Sequence, residues 1–328
     1  MKRRKYFKDF LFFGAALLLL VIMLYSGFRI LESTVFYRAP VAVEESGTKT
    51  IERDGVSYFP KQDMTVVMVL GIDRYGPAEP SVGYTNRGAA DVVMLLAFDE
   101  KNEVINVLHL NRDSMVDMPV LGLGGKQAGT LHGQLALSHT YGTGMEDSCE
   151  NTRKTVSNLL YGLQIDHYVS LNMDAISLIN DAVGGVSVNV TEDFSSVDPS
   201  ITQGEVTLMG DQALNFIRTR KDVGDQLNVS RMQRQREYIN GFSTALRQRQ
   251  KQDPNFMMDV YQQIQPYMVT DCTVNAVNGM SSRYSGYEIG EVVIPAGENV
   301  VGEEYMEFHL DEEALDEVIL RLFYAPKK

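Results

Sequence analysis

Asp166–Val190, DHYVSLNMDAISLINDAVGGVSVNV, changes its hydrophobic period twice within one short stretch. His167–Leu171 is aromatic and β-branched and reads as a strand. Met173–Val183 follows the longer period of a helix, and Gly184-Gly185 supplies its C-cap and turn. Val186–Val190 alternates again and reads as a second strand. A strand, a helix and a strand in succession build a sheet that carries helices on its faces.

The same reading extends in both directions. Upstream, Thr65–Leu70 (TVVMVL) is a short apolar run that stops at Gly71, as a buried strand does. Asp91–Phe98 (DVVMLLAF) and Glu103–Leu110 (EVINVLHL) are two further strands, joined as a hairpin by Asp99-Glu100-Lys101-Asn102. The glycine-rich stretch Gly122–Gly144 reads as an exposed, mobile loop, and Asn151–Tyr161 as a helix with Val156, Leu159 and Leu160 on its apolar side. Downstream, the chain from Phe256 onward offers a helix, a strand near Glu291–Ile294 and a terminal helix Glu312–Leu322 whose acidic residues form a solvated face. The expectation is an α/β fold: a single domain over residues 64–325 with a central mixed β-sheet flanked by helices.

At 328 residues the chain is long enough for a substantial core, and its composition is ordinary apart from 16 Met and no Trp. Its formal charge of −13 argues against a nucleic-acid partner, which needs a broadly basic surface. Cys149 and Cys272 are the only cysteines. Their spacing is not that of a zinc site, and both a disulfide and two separate buried thiols are compatible with it. His109, inside an apolar strand, and His167, beside Tyr168, read as core histidines.

Lys2, Arg3, Arg4, Lys5 and Lys8 precede the apolar run Phe10–Phe28, which is long enough for one membrane-spanning helix. Residues 1–9 are then a basic cytoplasmic tail, 10–28 an uncleaved anchor and 29–63 a juxtamembrane stem, so the protein is a single-pass cell-membrane protein whose domain lies outside the cytoplasm.

Against the acidic whole, Gly210–Glu237 (GDQALNFIRTRKDVGDQLNVSRMQRQRE) is a positive island. It carries Arg218, Arg220, Lys221, Arg231, Arg234 and Arg236 against Asp222 and Asp225. Guanidinium groups are planar forks that suit carboxylate or phosphate. Asp211 can cap a short helix through Ile217. An extended segment after that helix would aim Arg218 and Arg220 the same way. Ser230 can cap a second helix in which Arg231, Arg234, Gln235 and Tyr238 share a face.

Acids and arginines also recur at strand ends: Asp73 and Arg74 after the first strand, Arg87 and Asp91 before the second, Asn111-Arg112-Asp113 after the third. Strand ends are common ligand positions, because the sheet fixes the backbone while the loops stay open. Asp73 and Asp91 can jointly hold Mg²⁺, which takes one or two carboxylates together with phosphate oxygens and water. Two acids and several arginines are the components of phosphoryl transfer, which depends on positioning and charge neutralisation. No nucleophile elbow, Walker loop, HExxH or kinase motif is present.

In this order the motifs VLGID (Val69–Asp73), DVVMLL (Asp91–Leu96), NRD with MVDMP (Asn111–Pro119), Asp166–Val190, GDQALNFIRTR (Gly210–Arg220) and SRMQRQRE (Ser230–Glu237) resemble the LytR-CpsA-Psr family. These are phosphotransferases that attach wall polymers to peptidoglycan, and the likeness spans roughly Met64–Tyr324. The resemblance implies a hydrophobic tunnel for a polyprenyl tail, for which Val156–Leu160 and Ile176–Ile179 are candidate walls, and an arginine-lined mouth for its diphosphate. It implies Asp73 and Asp91 as the metal-binding aspartates, with Asp91 also catalytic. Arg112 and Arg220 are implied at the reacting phosphoryl group, and Arg74, Arg87, Arg218, Arg231 and Gln235 around the diphosphate. The chain departs from the family pattern in three places. Arg74 follows Asp73 directly and Tyr75 takes the usual arginine place; Ala89 stands where an arginine is common; and Asn111 replaces a proline.

The function implied is transfer of a polyprenyl-diphosphate-linked anionic glycopolymer, of teichoic acid or capsule type, onto peptidoglycan, leaving a phosphodiester. Asp113 and Asp91 are the alternatives for general base. A polyprenyl-diphosphate hydrolase and a non-catalytic lipid-carrier or wall-binding module are the rival readings. A transcription regulator disagrees with the orientation of the anchor, which puts the arginines away from DNA.

Overall fold

The computed structural model describes residues 50–326, apart from 220, 225–227, 254–255, 274–275, 277–278, 281–282, 285–286 and 303–304. The anchor expected over residues 10–28 lies outside the described residues. Among the described residues no helix is long and apolar enough to cross a membrane.

The chain begins with a hairpin, β1 (Ile51–Arg53) and β2 (Val56–Pro60). β3 (Met64–Ile72), β4 (Ala90–Asp99) and β5 (Val104–Leu110) follow as an antiparallel meander. Next come β6 (Met115–Leu121), β7 (Gln127–Gln134), α1 (Glu146–Leu159), β8 (His167–Asn172) and α2 (Met173–Ala182). β9 (Val186–Val190), β10 (Gly204–Leu208), α3 (Asp211–Arg218), α4 (Asn228–Gln252) and α5 (Phe256–Ile264) lead to β11 (Met268–Thr270) and β12 (Glu288–Val293). The chain closes with β13 (Gly297–Val301), β14 (Met306–Leu310), α6 (Glu312–Phe323) and β15 (Tyr324–Pro326).

The central sheet has the order β11-β8-β3-β4-β5-β12 and is mixed: β8 runs parallel to β3 and β12 parallel to β5, and the other neighbours are antiparallel. Its central strands are apolar on both faces because both faces are covered. Val67, Val69, Met94 and Leu96 face α2, α3, α4 and α5; Met68, Leu70, Val93 and Leu95 face α1, α6 and β6. The expected α/β architecture is present, with two cores separated by one sheet.

Three local expectations are corrected. β9 does not return to the central sheet: it pairs with β10, and Gly241 of α4 packs against the pair so closely that an added Cβ would lie 2.1 Å from the Ser187 carbonyl oxygen. The glycine-rich stretch is exposed over Gln127–His132, as expected, but forms a hairpin rather than a loop. Gly124 and Gly125, at φ 76° and 70°, close the tight turn of the β6–β7 hairpin, and the 3-10 turn Leu135–Thr140 is largely buried. Residues 51–60, read as part of the stem, form the β1–β2 hairpin, whose strand β2 pairs with β15, and Lys61 Nζ donates to the Arg321 and Leu322 carbonyls at 3.2 and 2.9 Å. The folded unit therefore includes both ends of the described chain.

The two thiols are free and face opposite sides of the sheet, Cys149 buried with α1 and Cys272 packed on the other core. His109 is a buried core histidine, and burial pushes it down to about 3, helped by Arg236 and Arg231. His167 is not core; it is half-buried beside Asp271.

Candidate active site

The cleft opens where β3 and β8 end and α2 begins, so the ends of two inner strands and one helix start fix its floor. It is a shallow, open cleft, with about 370 Å³ of empty space when the solvent at its mouth is included. Gly71, Ile72, Asp91, Val92, Leu171 and Asn172 come from the strands, Met173 and Ile176 from α2, Ile217 and Arg218 from α3, and Arg231 and Gln235 from α4. Because α2 starts here, the positive end of its dipole lies at the cleft, and its first N–H, that of Met173, donates to the Arg74 carbonyl at 2.9 Å.

Asp91 is the buried centre, 9% exposed. Arg112 Nη1 donates to its Oδ1, and Arg231 Nη1 lies 3.3 Å from its Oδ2. Burial pushes the Asp91 carboxyl up, opposed by the Arg112 and Arg231 guanidinium groups. At the rim, Arg218 Nη2 donates to Asp73 Oδ1 at 2.8 Å, and its guanidinium stands 5.7 Å from the Tyr75 ring centre. Tyr75, which takes the family's usual arginine place, thus supports an arginine supplied by α3.

Local folding explains these positions. Asp73 N–H donates to the Ala89 carbonyl, so the β3–β4 pairing carries both acids to one end of the sheet. Gly210, not Asp211, precedes α3, while Asp211 accepts from Ser177. Arg218 is the last residue of that helix rather than part of an extended segment. α4 starts at Asn228, so Ser230 lies inside its first turn. Arg231, Arg234, Gln235 and Tyr238 do share its buried face. Arg234 does not reach the cleft: it donates to the Phe216 carbonyl at 2.9 Å and also binds Glu192 and the Thr219 carbonyl. It thereby closes the C-terminus of α3 that presents Arg218. Gln235 Nε2 donates to the Ile217 carbonyl at 3.2 Å.

Of the residues singled out in the sequence, Asp73, Asp91, Arg112, Arg218, Arg231 and Gln235 converge at the cleft. Arg74 turns away and donates to the Glu79 carbonyl at 2.7 Å. Arg87 is exposed on the loop before β4 and is not part of the lining. Arg220 lies outside the described residues. Asp113 is 2% exposed, 3.3 Å from Arg112 Nε, and accepts from Gln134 Nε2 at 3.1 Å. It is placed to orient Arg112 rather than to meet an incoming hydroxyl. Of the candidate tunnel walls, Ile176 lines the cleft, whereas Val156 and Leu160 are core on the other face of the sheet. Asn172 and Asp174 escaped the sequence reading. They fix the turn after β3 through the Gly76 carbonyl at 2.9 Å and the Gly76 N–H at 2.5 Å.

Two hard oxygen ligands beside three guanidinium groups suit a divalent cation bound together with a diphosphate. In this structure the acids and arginines satisfy one another. A Mg²⁺ ion and a dianionic diphosphate diester entering together would exchange those partners with no change in net charge.

The LytR_cpsA_psr family model matches residues 34–323. Among curated relatives, the polyisoprenyl-teichoic acid–peptidoglycan teichoic acid transferases TagU of Halalkalibacterium halodurans and Oceanobacillus iheyensis are 31% and 27% identical, over 60% and 73% of this chain. The matches span 57% and 69% of those relatives' lengths. Among solved structures, TagT bound to LI-WTA (21% identity, TM-score 0.58, 86% of this chain and 98% of that one) shares the fold. So does protein gbs0355 of Streptococcus agalactiae (19% identity, TM-score 0.64, 79% of this chain and 86% of that one). With the family model spanning both halves of the cleft and nearly the whole described domain, the chain belongs to the LytR_cpsA_psr family.

Proposed function

We propose that this protein transfers an anionic glycopolymer from a polyprenyl diphosphate carrier to peptidoglycan, leaving a phosphodiester link. The observation that carries this reading is Asp91, buried between Arg112 and Arg231 beside the Asp73–Arg218 pair, at the mouth of a cleft with an apolar wall. The names of the curated relatives give the donor and acceptor classes.

Arg112 and Arg231 bind the diphosphate from the protein interior, and Arg218 closes on it from the rim, with Arg220 assigned to the same phosphates by the family motif. Ile176 and Ile217 meet the first apolar part of the carrier. An acceptor sugar hydroxyl attacks the phosphorus that bears the glycopolymer. The new O–P bond forms as the P–O–P bridge breaks, the carrier departs as its monophosphate, and the hydroxyl proton passes to solvent. The arginines neutralise the charge that builds on the departing phosphate. Asp73 and Asp91 would hold Mg²⁺, which supplies further neutralisation of the phosphate oxygens. The apolar run Phe10–Phe28, behind its basic tail, anchors the chain in the cell membrane with the domain outside, where both substrates lie.

The test is a transfer assay with full-length protein, a lipid-linked polymer and peptidoglycan. Product formation is expected to require acceptor and to be stimulated by Mg²⁺. Arg112→Ala should lower it by roughly 100-fold or more, the scale for loss of one transition-state donor. Full activity in that variant removes Arg112 from the mechanism. Carrier cleavage at an equal rate without peptidoglycan would mean a hydrolase.

A further inference from the structure

The edge of the central sheet brings together three metal-ligating side chains that the transfer chemistry does not use. β11 pairs antiparallel with β8, with Thr270 opposite Val169. Two residues further on, that register sets Cys272 across from His167. The His167 ring nitrogen, an Asp271 carboxylate oxygen and the Cys272 sulfur all lie within 4.8 Å of one another. Asp271 and Cys272 are held in place. Thr270 Oγ1 donates to the Tyr168 carbonyl at 2.6 Å and accepts from the Cys272 N–H at 3.1 Å. Asp271 Oδ1 accepts from the Tyr168 N–H at 2.8 Å, and its Oδ2 accepts from Arg153 Nη1 at 3.0 Å.

One atom of the group is left over. His167 Nδ1 is buried with no hydrogen-bond partner, standing 3.5 Å from Asp271 Oδ1. A satisfied imidazolium–carboxylate hydrogen bond would be roughly 2.8 Å long. The wider gap is that of two ligands turned toward one centre: bonds of about 2.0–2.3 Å at tetrahedral angles set ligand atoms on the order of 3.3–3.8 Å apart.

We propose that His167, Asp271 and Cys272 form a binding site for a borderline-soft divalent metal of the zinc type, which clamps the edge strand β11 to β8. The ligand set excludes the hard cation suited to the cleft, since Mg²⁺ and Ca²⁺ take oxygen ligands whereas nitrogen with thiolate selects zinc-like ions. A thiolate and a carboxylate balance the two charges of the ion. Arg153, itself paired with Glu150, holds the outer oxygen of Asp271 as groups behind ligating carboxylates do. On binding, the thiol proton and any proton on His167 pass to solvent, and solvent completes the coordination. The site is separate from the cleft: His167 precedes Asn172 by five residues of extended β8, about 16 Å.

The test uses full-length protein stripped with a chelator and titrated with Co²⁺, whose thiolate charge-transfer absorption reports a Co–S bond. One equivalent should develop the band, and one equivalent of Zn²⁺ should abolish it and raise the melting temperature. Cys272→Ser should lose the band while keeping its circular dichroism, His167→Gln should weaken Co²⁺ binding by about tenfold or more, and Asp91→Asn should change neither. Absence of the band in the unmodified protein, its persistence in Cys272→Ser, or its formation by Mg²⁺ overturns the proposal. Should Cys272→Ser fail to fold, blocking the thiol with an alkylating agent in the folded protein must abolish the band instead.

Discussion

Arg218 and Arg234 are chemically identical and do different work, and their surroundings separate them. Arg234 is 4% exposed and holds Glu192 and two carbonyls; Arg218 is part-exposed and holds one rim carboxylate. Arg234→Ala strands a carboxylate and main-chain acceptors, so a loss on the order of 3–5 kcal/mol of stability is expected. Arg218→Ala breaks a solvent-screened pair, so its cost should stay under about 1 kcal/mol while transfer falls. Denaturant melts of both variants check this, and the reverse order would be inconsistent with the roles assigned here. Helical spacing made Arg231 and Gln235 legible in the sequence, since residues four apart on a helix share a face. Nothing local told Arg234 from its neighbours, because its partners come from Glu192 and the end of another helix. Arg74 was misread for the same reason: its carbonyl partner, Glu79, belongs to a loop whose path the sequence does not specify.

At the scale of elements, the Asp99–Asn102 turn was readable because its chemistry is local. Asp99 accepts from the Asn102 N–H at 3.0 Å and from its side chain at 2.8 Å, with Lys61 Nζ at 3.3 Å. Burial raises this carboxyl, but the Asn102 hydrogen bonds and Lys61 outweigh it and hold it below its ordinary value of 3.8. The stabilisation is therefore complete above that value and is lost as the pH falls through the lower, folded one. Acid titration of unfolding should show that loss in the unmodified protein and not in Asp99→Asn. By contrast, the pairing of β9 with β10 was not legible, because a strand–helix–strand run does not state which neighbour the second strand joins. Gly241 marks that contact. Propensity alone favours alanine in a helix by about 1 kcal/mol. The approach to the Ser187 carbonyl predicts instead a net destabilisation of about 1–3 kcal/mol for Gly241→Ala. A raised melting temperature in that variant would contradict the packing described.

On the scale of the whole molecule, the two cores and the mixed sheet followed from uninterrupted apolar strands, which only a sheet covered on both faces accommodates. The domain edge did not follow. Ile51–Pro60 is half polar and looks like a stem until β15 arrives from the far end of the chain. Removing residues 51–60 from the full chain should lower the melting temperature by several degrees, at roughly 2–4 °C per kcal/mol for a protein of this size. An unchanged melting temperature would show that the three-stranded edge contributes nothing.

That edge also settles how load enters the molecule. The β1–β2–β15 ribbon sits by the start of β3, and the arginine cleft lies by its end, about 27 Å away along the strand. Tension applied at either terminus would peel this ribbon first and leave the acids and arginines of the cleft unmoved.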